Sequence, residues 1–352
     1  MSIVSLSTPR FTLASLLLMG MVESAAAQSP TLTDQSLADS RVLFIGVAPV
    51  SGQVVWLSGS RGTWARTRDG GATWETGVVP GADSLQFRDV HALDASTAWL
   101  LSIGNGEESR IYHTTDGGRT WTEQFRNTDP NAFYDCFAFW DARRGVVISD
   151  AVEGSIVMRR TDDGGRTWVP VPGLPPAAEG EGHFAASGTC LIAMGANHAW
   201  FGSGAGRVAR VGRTTDGGQT WTVVNTPIVQ DAPSAGITTL AFFDFRHGLA
   251  LGGDISKPDI FTDNVAETTD GGATWRLVGR PTFSGAVYGS AVVPGRANTA
   301  IVVGPRGASW TADAGRNWQP LDERNFWSVG FAPDGTGWMV GPTGRIVRVV
   351  FR

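Results

Sequence analysis

The chain has 352 residues and a formal net charge of −5, with only 17% charged residues but 46 glycines and 14 tryptophans. Glycine is present at nearly twice its usual share of about 7%, yet no Gly-X-Y period is found and 42% of the residues are hydrophobic. These numbers exclude a collagen-like fibre and wholesale disorder, because the apolar surface is large enough to offset the entropy of an ordered chain. The negative charge argues against a nucleic-acid partner, which normally requires a basic surface.

Residues 1–27 have the pattern of a secretory signal peptide. Arg10 provides a small basic region, residues 11–22 are apolar, and the Ala-Ala-Ala sequence at 25–27 forms a small-residue cleavage site. The apolar stretch of about 12 residues is too short to span a bilayer at 1.5 Å per residue. We expect cleavage after Ala27 and a periplasmic or secreted mature protein without a membrane span. An uncleaved anchor is the alternative.

One octapeptide recurs six times along the chain. The first copy reads Thr-Arg-Asp-Gly-Gly-Ala-Thr-Trp at 67–74, and the last copy, at 311–318, has Asn317 where the others have threonine. Successive copies are 43 to 54 residues apart. An aspartate can accept hydrogen bonds from nearby backbone N–H groups and the glycines permit positive φ, so each copy predicts a tight turn between two strands. We interpret six aspartates as structural rather than catalytic or calcium-binding: Asp69, Asp116, Asp163, Asp216, Asp270 and Asp313.

The pattern Ser/Thr-x-Asp-x-Gly-x-Thr-Trp resembles the Asp box, or bacterial neuraminidase repeat, of β-propellers. The resemblance covers nearly the whole chain after residue 27. A Gly-x-x-Gly run at 59–62, 304–307 and 341–344 is most similar to propellers of the photosystem II assembly-factor type. The resemblance implies a WD40-like β-propeller that binds a partner without catalysis and has an assembly or stability role.

Each period contains four strand-like runs, which we label a to d from the inside of the ring outwards. In the second period these runs are at 87–93, 97–103, 110–115 and 120–125, and the octapeptide is the c–d turn. Dividing the length of the chain after residue 27 by the mean spacing gives about 6.7 periods, which favours seven blades.

The seventh blade lacks its fourth strand at the end of the chain. Three runs after the last octapeptide match strands a, b and c: 326–333, 337–340 and 345–350. The sequence Thr-Leu-Thr-Asp-Gln at 31–35 resembles Thr-Trp-Thr-Glu-Gln at 120–124, which is a strand d. We therefore expect residues of about 31–36 to complete the last blade and close the ring, which protects the sheet edges. The prediction is one all-β domain over 28–352, a seven-bladed β-propeller of four-stranded antiparallel blades.

Function is expected where the repetition breaks. In a propeller the d–a and b–c connections share one face, and the longest of them here are at 172–182, 225–235 and 253–264, around blades 3, 4 and 5. Tyr288 and further polar or aromatic residues fall at strand ends or in loops on this side. They are Arg88, Tyr134, Asp135, Asp150, Glu181, His183, Asp254 and Asp259. We expect an acidic, aromatic-edged ligand-binding pocket at the mouth of the central channel; the alternative is a set of ordinary solvated loop charges.

The two cysteines occupy equivalent places on adjacent inner strands. One position of strand a is small or polar in six blades: Gly46, Asp89, Cys136, Cys190, Thr239 and Ser328. Export would favour a disulfide, but equivalent side chains point the same way round a ring, so the two thiols need not face each other. We expect buried free thiols, with a disulfide or a reactive pair as alternatives. No histidine accompanies the cysteines at metal-ligand spacing, so no metal site is expected.

Two classes of function fit this fold. The favoured one is an exported, monomeric, non-catalytic propeller that uses no cofactor and binds a protein partner or small ligand at the loop-rich face. The alternative is a glycoside hydrolase related to sialidases or glucanases, acting through paired carboxylates. A sialidase is disfavoured because Arg110-Ile111 and Arg345-Ile346 lack the proline of that family's Arg-Ile-Pro motif. Xyloglucan-cleaving relatives usually enclose a cleft between two propellers, whereas one propeller is predicted here.

Overall fold

Seven four-stranded antiparallel sheets form the blades of a ring, which confirms the predicted all-β, seven-bladed propeller. The only helix among the described residues is a single 3₁₀ turn, Gly106–Glu108. Apart from residues 1 and 3, the predicted signal peptide lies outside the described residues. The computed structural model describes residues 1, 3, 29–35, 37 and 41–352.

The strands are regular and short. In chain order they are β1 (Thr31–Asp34), β2 (Phe44–Pro49), β3 (Val55–Gly59), β4 (Thr63–Thr67), β5 (Glu75–Val78), β6 (Gln86–Ala92), β7 (Ala98–Ile103), β8 (Arg110–Thr114), β9 (Thr122–Arg126), β10 (Tyr134–Phe139), β11 (Gly145–Val152), β12 (Ser155–Thr161), β13 (Val169–Pro170), β14 (Leu191–Met194), β15 (His198–Gly202), β16 (Arg210–Thr214), β17 (Thr222–Asn225), β18 (Ala235–Phe242), β19 (Gly248–Asp254), β20 (Val265–Thr268), β21 (Arg276–Leu277), β22 (Gly289–Val292), β23 (Ala300–Gly304), β24 (Gly307–Thr311), β25 (Gln319–Asp322), β26 (Ser328–Phe331), β27 (Thr336–Val340) and β28 (Ile346–Val350).

Blades 1 to 6 are built from consecutive groups of four strands, beginning with β2, and blade 7 consists of β26, β27, β28 and β1. The four runs predicted for blade 2 agree with β6 to β9 to within two residues at each end. This agreement follows from the repeat, because each turn sequence fixes the strand boundaries on either side of it.

The N-terminal strand β1 closes the ring, as predicted. It pairs antiparallel with β28, with Thr31 opposite Val350. Gln35, just beyond β1, then joins blade 7 to blade 1. Its side-chain oxygen accepts a hydrogen bond from Trp338 Nε1 at 3.0 Å, and its Nε2 donates to the carbonyl oxygen of Gly70 at 2.8 Å. The first and last blades are therefore held together by both backbone pairing and a side-chain bridge.

Each octapeptide forms a hydrogen-bonded c–d turn that uses its own aspartate. In the first copy, Thr73 donates to Asp69 through both its backbone N–H (2.9 Å) and its hydroxyl (2.6 Å), and Gly71 N–H donates to Thr67 Oγ1 at 2.9 Å. Gly71 has a φ of 91°, which a residue with a side chain rarely adopts. In the degenerate last copy the Asn317 side-chain amide donates to its aspartate at 2.7 Å in place of the threonine hydroxyl. The carboxylates are thus engaged in local turn structure.

Tryptophans of strand b fill the space between neighbouring blades. Four of them, each 2% exposed or less, occupy equivalent positions: Trp56, Trp99, Trp200 and Trp338. The Trp56 indole donates to the carbonyl oxygen of Asp94 in blade 2 at 2.9 Å, and the Trp200 indole donates to that of Gly271 in blade 5 at 2.9 Å. The Trp56 and Trp200 indoles therefore bury their rings and also tie their blades to the next ones.

The expectation of free thiols is wrong, because Cys136 and Cys190 form a disulfide with a Cα–Cα distance of 6.1 Å. Both residues are fully buried. The pairing of β10 with β11 shifts register between Tyr134 and Cys136, and Cys190 precedes the first paired residue of β14, Leu191. Because both cysteines lie at irregular points of their strands, the argument from a strict rotation between blades does not hold for them.

Candidate functional site

The d–a and b–c connections form one face of the ring, which we call the loop face. The a–b and c–d turns, including the six octapeptides, form the opposite turn face. The three long connections at 172–182, 225–235 and 253–264 belong to the d–a connections of blades 4 and 5 and the b–c connection of blade 5. The loop face therefore carries the irregular parts of an otherwise repetitive molecule.

Residues 184–189, which we call the plug segment, lie at the centre of the ring. The carbonyl oxygen of Ala185 accepts a hydrogen bond from Arg88 of blade 2 at 2.9 Å. The carbonyl oxygen of Ser187 accepts one from Ser328 of blade 7 at 3.5 Å. The Thr189 hydroxyl bonds to the Thr239 hydroxyl of blade 5 at 2.6 Å. Because one segment contacts three separate blades, it lies across the channel.

A cavity of about 430 Å³ lies where the plug segment meets the loop face. We call it the channel-mouth pocket. Its polar lining consists of Arg88, Asp135, Asp150, His183 and Tyr288. Its apolar lining includes Ile103, Phe133, Phe184, Ile255 and Trp327. The pocket thus combines two carboxyl groups, an arginine and a histidine with aromatic side chains, and blades 2 to 7 all contribute to it.

Irregular strand pairing brings two of these side chains to the pocket. The pairing of β6 with β7 shifts register between Phe87 and Asp89, so that Arg88 is the unpaired extra residue. The same shift between Tyr134 and Cys136 leaves Asp135 as the extra residue of β10. A β-bulge of this kind redirects a side chain away from the regular alternation of a strand. Both extra residues line the pocket.

Arg88 is fixed in the pocket wall. Its Nη1 donates to Ala185 of the plug segment, its Nη2 donates to the Gln86 side chain at 3.1 Å, and its guanidinium carbon lies 5.0 Å from the centre of the Trp327 ring. Tyr288 packs edge-on against the same ring, at 5.1 Å between centroids. Burial lowers the pKa of Arg88, while Tyr288 and Asp135 act in the opposite direction. The guanidinium therefore forms a charged edge beside an aromatic pair.

Asp135 and Asp150 place two carboxyl groups in the pocket. Burial is the main cause that raises the pKa of Asp135 well above its ordinary range, and the nearby Asp150 adds to it. Burial also raises the pKa of Asp150, against the opposing effect of His183, whose backbone N–H donates to Asp150 Oδ1 at 2.6 Å. The ring Nδ1 of His183 donates to the carbonyl oxygen of Gly202 at 2.9 Å. Both carboxyl groups are thus biased toward the protonated form.

The other four predicted site residues do not line the pocket. Tyr134 is buried between blades, where its hydroxyl accepts a hydrogen bond from Arg159 Nε at 2.9 Å. Glu181 is buried against Arg210, which donates to it through Nε at 2.9 Å.

Asp254 and Asp259 likewise have structural partners near the loop face. Asp254 pairs with Lys257 at 2.9 Å. Partial burial would raise the pKa of Asp254, but hydrogen bonds from Lys257 and from two serine hydroxyls hold it well below its ordinary range. Asp259 is exposed and pairs with Arg306 at 2.7 Å. These two carboxylates stabilise the loops around the pocket rather than lining it.

The sequence reasoning missed Trp327 and the plug segment. Trp327 immediately precedes Ser328 of the aligned small-residue position, just as Arg88 precedes Asp89 and Asp135 precedes Cys136. That shared position was the available signal. The plug segment has no counterpart in the other blades, so the repeat could not reveal it.

Exposed apolar side chains lie beside the pocket, in the b–c connection of blade 5. Ile255 lines the pocket and is 40% exposed, and Ile260 and Phe261 are each exposed by more than half. Among the described residues there is no group of three or more His, Cys, Asp or Glu side chains that could hold a metal ion. Within the same part of the chain, no helix has the length and apolar character needed to cross a bilayer.

No family model matches the chain. Among curated proteins it is similar to the xyloglucanase Xgh74A of Acetivibrio thermocellus, with 27% identity over 261 residues. That alignment covers 63% of this chain but only 29% of the xyloglucanase, so the chain spans less than a third of that relative.

Solved structures of low sequence identity share the propeller fold. YCF48 bound to D1 peptide superposes with a TM-score of 0.65 at 18% identity, covering 91% of this chain and 97% of that chain. YCF48 from Cyanidioschyzon merolae gives 0.62 at 15% identity, covering 92% and 99%. The GH74 xyloglucanase from Xanthomonas campestris gives 0.61 at 16% identity, covering 90% of this chain and 53% of that chain. The neighbours of this fold thus include both a peptide-bound protein and glycosidases.

Proposed function

We propose that the chain is an exported, non-catalytic Asp-box-repeat propeller that holds a peptide segment of a protein partner against its loop face. The observation that carries this proposal is the channel-mouth pocket, which lies beside the exposed apolar side chains of Ile255, Ile260 and Phe261. A concave site with a few polar groups and an apolar rim fits an extended peptide better than it fits the flat surface of a folded protein. The neighbour YCF48, which is similar in extent, has been solved with a D1 peptide.

Site-specific photocrosslinking tests this proposal. A benzophenone amino acid replaces Ile255 or Phe261 on the loop face, and Phe245, an exposed aromatic on the turn face, serves as the matched control. With an extract of the source cells, we expect the two loop-face positions to crosslink to the same protein and the Phe245 position to give no such product. Equal crosslinking from both faces, or no crosslink at either loop-face position, would contradict the proposal.

Export is part of the proposal and has its own test. The basic, apolar and small-residue regions within 1–27 support removal of this segment and a periplasmic or secreted product. Intact mass spectrometry of protein expressed with its leader is expected to give a chain that begins at Gln28. A cytoplasmic product of full mass would be inconsistent with export.

A second candidate is a glycoside hydrolase. Two observations favour it: Asp135 and Asp150 share one pocket with raised pKa values, and the curated relative is a xyloglucanase. A protonated carboxyl group could act as general acid and an ionised one as base or nucleophile. Xyloglucan is incubated with the wild type and with Asp135→Asn and Asp150→Asn, and reducing ends are measured. Release by the wild type alone would favour the hydrolase, whereas no release supports the binding role.

A further inference from the structure

Four of the six acidic side chains in the three long connections of the loop face have a cationic partner. The pairs are Glu179 with Arg207, Glu181 with Arg210, Asp254 with Lys257, and Asp259 with Arg306. Asp135 and Asp150 are the carboxyl groups that line the pocket, and neither forms an ion pair with any residue that the structure describes. The two carboxyl groups that line the channel-mouth pocket are therefore available to a charge from outside.

One carboxyl oxygen of Asp135 also lacks a hydrogen-bond partner. The residue is 1% exposed, and its Oδ2 atom is buried without a donor. Buried polar atoms in folded proteins are nearly always hydrogen-bonded, so the Asp135 carboxyl group, which lines the pocket, has capacity left for a donor group of a ligand.

The charged and titratable groups that face Asp135 leave its negative charge partly uncompensated. Arg88 supplies one positive charge, but its two Nη atoms already donate to Ala185 and Gln86. The Nε atom of Arg88 is buried without a partner, and the guanidinium face is covered by Trp327. When Asp135 and Asp150 are both ionised, the pocket has two carboxylates against one fixed guanidinium, which favours one additional cation.

The walls of the pocket suit the stem of a long cationic side chain. Phe133, Phe184, Tyr288 and Trp327 offer apolar and aromatic surface around the carboxyl groups. Lysine and arginine bury their methylene stems on such surfaces, and their charged heads are attracted to aromatic faces.

We propose that the channel-mouth pocket receives a lysine or arginine side chain of the partner, with its charged head against Asp135 and Asp150. This inference rests on the proposed peptide-binding function and specifies the type of peptide side chain that the pocket recognises. The flanking peptide then lies along the apolar rim formed by Ile255 and its neighbours in the 253–264 connection.

Binding of a cation is expected to release a proton. Burial holds the pKa of Asp135 above its ordinary range and Asp150 adds to this effect, while Arg88 and the backbone N–H groups of Asp150 and Ala185 act against it. An incoming positive charge favours the ionised carboxylate. Affinity for the cation should therefore increase with pH across the titration of this carboxyl pair, with His183 and Tyr288 as the other titratable groups that line the pocket.

Capped amino acids provide defined probes. Titration calorimetry compares N-acetyl-arginine amide and N-acetyl-lysine amide with the uncharged isostere N-acetyl-citrulline amide. We expect both cations to bind and citrulline to bind at least about tenfold more weakly, since hydrogen bonds between charged groups are worth that much or more. Repeating the titration in buffers of different ionisation enthalpy should show proton release on binding.

Isosteric variants localise the binding. Asp135→Asn and Asp150→Asn should each weaken binding of the cations by about tenfold or more, whereas Asp244→Asn, a carboxylate of the turn face, should leave it unchanged; melting temperatures verify that each variant is folded. Equal affinity for arginine and citrulline, an equal effect of Asp244→Asn, or no binding of either cation would overturn the inference. If loop-face crosslinking succeeds while the probes fail, the peptide-binding function stands and only the cation assignment is wrong.

Discussion

The disulfide between Cys136 and Cys190 is expected to contribute a large share of the stability of the ring. It closes a loop of 54 residues between the inner strands of blades 3 and 4. In the chain-entropy treatment, a cross-link of this length disfavours the unfolded state by about 4 kcal/mol at 25 °C. This free energy is a substantial fraction of the total free energy of unfolding of a typical domain, which is about 5–15 kcal/mol.

The measurement compares three proteins by urea denaturation monitored through tryptophan fluorescence. They are the oxidised wild type, the wild type reduced while unfolded and refolded under reductant, and the Cys136→Ala/Cys190→Ala variant. The reduced wild type keeps both sulfur atoms, so its loss of about 4 kcal/mol isolates the cross-link, whereas the double variant adds the cost of lost buried atoms. Two titratable thiols in native, unreduced protein, or a loss below about 1 kcal/mol on reduction, would refute this reasoning.

Three further predictions concern the ring and its titratable groups. Deleting residues 28–38 should lower the free energy of unfolding by on the order of several kcal/mol, because β1 and its pairing are lost; an unchanged urea midpoint would argue against closure by this strand. The hydrogen bond from the Thr120 hydroxyl is the largest cause that lowers the pKa of Asp116 from 3.8 to about 2. The stability due to Asp116 should therefore be lost as the pH falls from about 4 to 2, and Asp116→Asn should flatten this part of the midpoint-against-pH curve. Burial lowers the pKa of His91 from 6.5 to about 4. The melting temperature should therefore fall as the pH is lowered from about 6.5 to 4, because the unfolded state binds the proton more readily, and it should fall less in His91→Gln.

The blade count and the closure of the ring could be predicted because both are encoded in short repeated segments. The octapeptide fixes the c–d turn with its own side chains, as the Thr73–Asp69 hydrogen bonds show. The similarity of 31–35 to 120–124 likewise reflects a shared role: Gln35 and Gln124 each accept a hydrogen bond from the strand-b tryptophan of their own blade. Features that depend on such local interactions can be predicted from a sequence without knowledge of distant contacts.

The pocket could be predicted only in part, because its formation depends on contacts between distant residues. Arg88, Asp135 and Asp150, which were selected by their positions along the strands, line the same cavity in the structure. Glu181 lies two residues before His183, yet it is buried against Arg210 instead of lining the pocket. No spacing rule in the sequence distinguishes a loop carboxylate that pairs with a buried arginine from one that does not. The path of the plug segment likewise has no sequence pattern that predicts it.

The bulge in strand a explains why a ring of similar blades can present one oriented binding site. The pairing of strands a and b shifts by one residue at the same point in blades 1, 2, 3 and 5. The extra residues are Ile45, Arg88, Asp135 and Thr238. Because the bulge is a backbone feature, it can be kept in several blades while its side chain varies without disturbing the pairing around it. The repeat thus provides the backbone geometry, and the different residues at this position make the mouth asymmetric, with a guanidinium and a carboxyl group lining one pocket. The proposed cationic side chain with an apolar flank would then bind in a single orientation, although the scaffold itself has nearly sevenfold symmetry.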